Sequence, residues 1–148
     1  MITETNSSKA KQLIKNLHGK EKEIVVQSQN HEFNRSVLEY GKFQFLLFPN
    51  PKIKTQRKIK TIDSGLDRVS TKAASKNKIT IVYDLSQLKN LNKKLLAFEL
   101  EKLMEIIKLC RKNHVKFKIL NYKEDKNAFA FLTSLKASSQ QAKKAIDF

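Results

Sequence analysis

Apolar residues in this 148-residue chain follow two alternating rhythms. Short, nearly continuous apolar runs read as strands, and longer stretches with apolar positions three and four apart read as amphipathic helices. The strand-like runs are EIVVQS (23–28), KFQFLLF (42–48), KITIVYDL (78–85) and VKFKILNY (115–122), with a short further one at Ile2–Thr5. Ala10, Leu13, Ile14 and Leu17 predict a helix opened by Ser7 or Ser8 and closed at His18–Gly19. Asn30 caps a second helix, HEFNRSVLEY, with Phe33, Val37 and Tyr40 on one face and Gly41 as its stop. A third is expected to start at Asp63 or Ser64 and to turn Leu66, Val69 and Ala73 inward. The longest spans roughly 91–112, where Leu96, Leu100, Leu103, Ile107 and Cys110 form a stripe that Leu95 and Ile106 widen. Shorter helices follow around 127–136 and after Ser138 or Ser139.

Strand–helix alternation with short connections implies parallel βα units joined by right-handed crossovers. Five strands and five or six helices are expected, in a single domain covering residues 1–148. That is too few for a complete eight-stranded barrel, which takes about 250 residues. An open α/β sheet and a partial barrel both remain. In either, functional loops belong at the C-terminal ends of the strands.

Charge changes the picture. Lys and Arg number 30 against 14 Asp and Glu, a formal net charge of +16. Such an excess calls for a polyanion partner. The excess is also clustered: residues 49–78 hold nine bases and two acids, whereas residues 1–48 hold seven and five. Lys52, Lys54, Arg57, Lys58 and Lys60 follow the 42–48 strand without an intervening carboxylate, after Pro49 and Pro51. A loop of that kind repels itself unless it is solvated or bound to an anion, and counterion release makes nucleic acid its natural ligand. Arg68, Lys72 and Lys76 recur at helical spacing just beyond and extend the same basic face, or form a solvated one. No apolar run reaches the ~20 residues a spanning helix needs. The N-terminus MITETNSSKAK carries no signal-peptide core, and Cys110 is the single cysteine, so a cytoplasmic setting is expected.

Candidate chemistry is sparse. His18, His31 and His114 do not stand at metal-ligand spacing, and HxH, HExxH and CxxC are absent, so no metal site and no catalytic residue is assigned. Asp63 and Asp84 lie near strand ends and read as caps; Ser64 lacks a nucleophile-elbow context. Asp63-Ser64-Gly65 reads as a helix start whose backbone N–H groups are also candidate phosphate donors. Phe43, Phe45, Phe48, Tyr83 and Phe117 belong to strands and read as packing residues, and no basic-aromatic signature of a sheet-type RNA reader is present.

Three stretches resemble one family in order and spacing. EIVVQSQNHEFNRSVLEY is similar to a strand, polar turn and asparagine–arginine helix of the protein component 3 family of archaeal ribonuclease P. Its eukaryotic relatives are the thirty-kilodalton subunits. KFQFLLFPN with the later IDSGLDRVSTKAASKNKITIVYDLSQL resembles that family's hydrophobic strand, basic loop, DSGL helix start and next strand. LEKLMEIIKLCRKNHVKFKIL resembles its long helix and following strand, and the resemblance covers about residues 20–146. It implies a partial, TIM-like or PHP-like barrel without the first βα units of the family, leaving a sheet edge to be covered. It also implies a non-catalytic subunit that helps a catalytic RNA remove the 5′ leader of precursor tRNA. By the same resemblance, magnesium is held by the RNA subunit and no cofactor by this chain. The implied partners are ribonuclease P RNA, precursor tRNA and the component 2 protein, in a possible heterotetramer. The turn NYKEDKNAF departs from the family's small-residue and arginine-containing turn. Two readings stand beside this one: a general RNA-binding or ribosome-associated α/β protein, supported by charge alone, and a degenerate barrel serving as an assembly scaffold, with the charge incidental.

Overall fold

The apolar runs assemble into one parallel sheet in a computed structural model that describes residues 1–53 and 62–146. In chain order the elements are α1 (Ser7–Leu17), β1 (Val25–Gln27), α2 (His31–Tyr40), β2 (Phe45–Phe48), α3 (Arg68–Lys76), β3 (Thr80–Asp84), α4 (Lys93–Lys112), β4 (Phe117–Leu120), α5 (Asp125–Ser134) and α6 (Ser139–Ile146). A 3₁₀ turn over Leu85–Leu88 leaves β3. The sheet order is β1-β2-β3-β4, every pair parallel.

Among the described residues the strands number four, not five. The expected strand at Ile2–Thr5 reduces to a bridge between Ile2 and Val26, held by Ile2 N–H to Val25 O and Gln27 N–H to Ile2 O, both 2.8 Å. Asn6 caps α1 at once and pulls the chain off the sheet before a ladder can grow.

Sequential order without reversal places successive right-handed crossovers on one side. The register puts Val26, Leu46, Ile81 and Phe117 in one row, and Phe48, Tyr83 and Ile119 in the next. All seven are buried and join the main core with Ile14, Val37, Leu38, Leu103, Ile106, Ile107 and Leu132 of the helices. Strand residues of the other parity, Val25, Phe45, Leu47, Val82 and Leu120, stay outside that cluster. Helices on one face distinguish this layering from a doubly wound sheet, which carries them on both.

The α4 stripe holds as read: Leu103, Ile106, Ile107 and Cys110 are buried, and burial pushes the Cys110 thiol far above its ordinary value. Other expectations shift. Leu13 and Leu95 sit at the margins of their stripes and are exposed. The helix expected from Asp63 or Ser64 begins instead at Arg68, behind Asp67, whose carboxylate accepts from Ser70 N–H while Ser70 Oγ accepts from Asp67 N–H. That reciprocal cap wins because Gly65 sits at φ +87°, outside any right-handed helical turn. The shift rotates the apolar face: Ser70, Thr71 and Ala74 are buried, and Val69, expected inside, is exposed.

Candidate nucleic-acid interface

The C-terminal ends of β1, β2 and β3 converge on a cleft of about 340 Å³. Phe48, Tyr83 and Ile106 supply its apolar side, and the turns after β1 and β2 supply its polar side. The basic loop leaves the sheet here through Pro49–Ile53 and returns through Ile62–Leu66, so both of its described ends border the cleft.

Amides clamp those ends. Asn34 is fully buried on α2, four residues after the Asn30 cap. Its Oδ1 accepts from Gln29 N–H at 2.8 Å, and its Nδ2 donates to Gln29 O at 3.1 Å and Gly65 O at 3.0 Å. Asn50 Nδ2 donates to Ser28 O at 2.7 Å and to Gln29 Oε1 at 2.9 Å, while its Oδ1 accepts from Lys52 N–H at 3.1 Å. Gln27 Nε2 donates to Leu47 O and Pro49 O. The outgoing limb is thus tied through Asn50, and the returning limb through Asn34, to the same β1–α2 turn. Motif reading passes over these amides because each acts on a residue distant in sequence; the one signal is polar Asn34 on a face otherwise made by Phe33 and Val37.

Within the returning limb, Asp63 Oδ1 accepts from Gly65 N–H at 2.9 Å, and Ser64 Oγ accepts from Leu66 N–H at 3.3 Å. Asp67 and Ser70 N–H groups are taken by the reciprocal cap. Of the backbone donors read as phosphate candidates at Asp63-Ser64-Gly65, Gly65 N–H is used within the turn, and the turn docks on Asn34 through Gly65 O. Alanine at Gly65 would place a Cβ 3.0 Å from Asn34 Nδ2 and 3.3 Å from Phe48 Cε1 at a left-handed φ. Gly65→Ala is expected to cost about 1–3 kcal/mol in urea denaturation, and less when Asn34 is already Ala, because the two share one contact.

A histidine–carboxylate contact and one ion pair flank the cleft. His31 Nε2 meets Asp67 Oδ2 at 2.9 Å. Partial burial raises the Asp67 carboxyl, but hydrogen bonds from Ser70 and the His31 contact outweigh it and hold the group below its ordinary value. Glu99 accepts from Tyr83 Oη at 3.1 Å and from Lys102 Nζ at 3.2 Å. Burial first, and the Glu99 carboxylate second, push the Tyr83 phenol far up, so it stays protonated as a structural donor. Asp84 caps the 3₁₀ turn through Ser86 and accepts from Asn121 Nδ2 at 2.7 Å. Burial raises its carboxyl, and these donors together bring it below the usual range.

Among the described residues no three His, Cys, Asp or Glu side chains gather as a metal set. The cleft is not itself basic, since Glu32, Asp63 and Glu99 face His31 and Lys102. The described ends of the basic loop border it. Lys52 is exposed at its start; Lys54, Arg57, Lys58 and Lys60 lie outside the described residues. Arg68 and Lys72 are exposed on consecutive turns of α3.

No family model and no curated protein matches this chain. Among solved structures it is similar to a chain of an archaeal ribonuclease P determined by cryo-EM with mature tRNA, with a TM-score of 0.80 and 24% sequence identity. The alignment covers 99% of this chain and 62% of the other. That likeness is one of fold. It matches the whole βα succession around the cleft, while the neighbour is considerably the longer chain. No described helix is long and apolar enough to cross a membrane.

Proposed function

We propose that this chain is a protein subunit of ribonuclease P, of the component 3 type, and that it assists a catalytic RNA in removing the 5′ leader of precursor tRNA. The observation that carries the reading is the match in fold over 99% of the chain to a protein of archaeal ribonuclease P with tRNA. The strand, basic loop, DSGL and long-helix order supports it independently. On this reading the sheet is a sector of a TIM-like barrel. Its other parity, Val25, Phe45, Leu47 and Val82, faces what would be the barrel interior.

The chain's part is electrostatic. Bases of the loop, with Arg68 and Lys72, neutralise crowded phosphates so that the RNA folds and holds substrate at lower magnesium. Magnesium is bound by the RNA, and the protein contributes no reacting group. A component 2 subunit is the protein partner, and a heterotetramer is the assembly to look for. The competing reading, a general RNA-binding protein, is favoured by the +16 charge alone.

Reconstitution decides between them. Adding this chain with its partner proteins to ribonuclease P RNA is expected to lower the magnesium needed for precursor tRNA cleavage several-fold. An unchanged magnesium requirement would sink the ribonuclease P reading and leave general RNA binding.

A further inference from the structure

A second basic surface lies at the opposite end of the sheet from the loop. The last turn of α4, the start of β4 and α6 enclose a groove of about 420 Å³. Its charged and titratable lining is Arg111, His114, Lys116, Lys118 and Lys144, with no carboxylate among the lining residues. No Asp or Glu occurs from Ile106 to Lys123, nor from Lys126 to Ile146, so the stretches of α4, β4 and α6 that line the groove carry bases and no acid.

Local geometry gathers these bases. Val115 N–H donates to Cys110 O and Asn113 N–H to Leu109 O, closing α4, and His114 then takes a positive φ of 57° into β4. Ser75 Oγ meets His114 O at 3.5 Å, setting the α3–β3 turn, with exposed Lys76 and Lys78, beside the α4–β4 turn. Gln141 Nε2 donates to Ile107 O at 3.0 Å and fixes α6 against α4 as the other wall. Arg111 donates one guanidinium N–H to Lys136 O at 2.8 Å, which fixes its orientation at the rim of the groove.

A plainer role exists for part of this. β4 is an edge strand, and lysines on an edge discourage pairing with another sheet. That accounts for Lys116 and Lys118 but not for Arg111, His114 and Lys144, which come from a helix, a turn and a second helix.

We propose that the α4–β4–α6 groove is a second RNA-backbone site, independent of the basic loop. The ligand class rests on the ribonuclease P reading; the site itself rests on Arg111, His114, Lys116 and Lys144 converging from three elements on a groove whose lining holds no carboxylate. Two phosphate-binding surfaces at opposite ends of a four-stranded sheet let one small subunit bridge two RNA segments.

The test measures fluorescence-anisotropy binding of single-stranded oligouridylate across a salt series. The Lys116→Glu/Lys144→Glu variant is made in the wild-type chain and in one whose loop bases are Ala. Both positions are exposed, so the melting profile should be retained; if it is not, the Lys116→Gln/Lys144→Gln pair replaces it. The groove charge reversal is expected to weaken binding about tenfold in each background, and the Gln pair to flatten the salt slope by about 1.4. Equal binding with and without the groove substitutions, in the loop-alanine background, overturns the groove proposal while leaving the ribonuclease P reading intact. Absence of salt-dependent RNA binding by the wild-type chain overturns both.

Discussion

Replacing Asn34 by Ala is expected to destabilise the fold by about 3 kcal/mol or more, measured as the shift in urea-unfolding free energy. The side chain is fully buried, and three backbone groups depend on it: Gln29 N–H, Gln29 C=O and Gly65 C=O. A buried polar group left unpaired costs about 1–3 kcal/mol. Water reaching the cleft recovers some of that loss, which keeps the expectation near the low end of the sum. Against a typical total of 5–15 kcal/mol for a natural domain, the variant stands near the edge of folding. Asn34→Asp is expected to be nearly as harmful: it keeps the acceptor for Gln29 N–H but turns a carboxylate on two carbonyl oxygens. Asn30→Ala serves as the contrast, losing one cap hydrogen bond to Phe33 N–H and about 1 kcal/mol. If Asn34→Ala costs no more than Asn30→Ala, the clamp does not hold the loop ends.

The same residue marks what could and could not be read from sequence. The four long apolar runs became parallel strands, as expected, because buried parallel strands announce themselves by continuous hydrophobicity. The α4 stripe was legible for the matching reason, a 3.6-residue period sustained through four turns. Cap competition was not. Asp63, Ser64 and Asp67 are all plausible caps, and the choice rests on the φ of Gly65 and on Ser70 closing the reciprocal bond. The clamp was invisible for a deeper reason, since Asn34, Asn50 and Gly65 meet only after β1 and β2 pair. Of the charge cluster, the sequence places five bases in one loop, and the structure describes Lys52 and the two anchored ends.

Those ends give the charge its consequence. A polyanion attracts free lysines wherever they are, but a loop tied at Asn50 and Gly65 begins and ends at fixed points beside the cleft. Entropy lost on binding is smaller for a segment whose ends are already held. Clamp and charge therefore make separable contributions, one to order and one to long-range attraction.

Alanine at Lys52, Lys54, Arg57, Lys58 and Lys60 together is accordingly expected to weaken RNA binding by at least about a hundredfold near physiological salt. Each phosphate neutralised on single-stranded RNA contributes about 0.7 to the slope of log K against log salt. Full engagement of the loop predicts a loss of slope near 3.5, and partial engagement a proportionate fraction. Stability should change little, since Lys52 is exposed and its side chain takes no part in the clamp; its backbone N–H, which does, is kept in the alanine variant. A fall in affinity with an unchanged salt slope would mean that the loop acts by shape rather than by charge. Retention of both affinity and slope would remove the loop from the RNA site and shift the burden to Arg68, Lys72 and the groove beside β4.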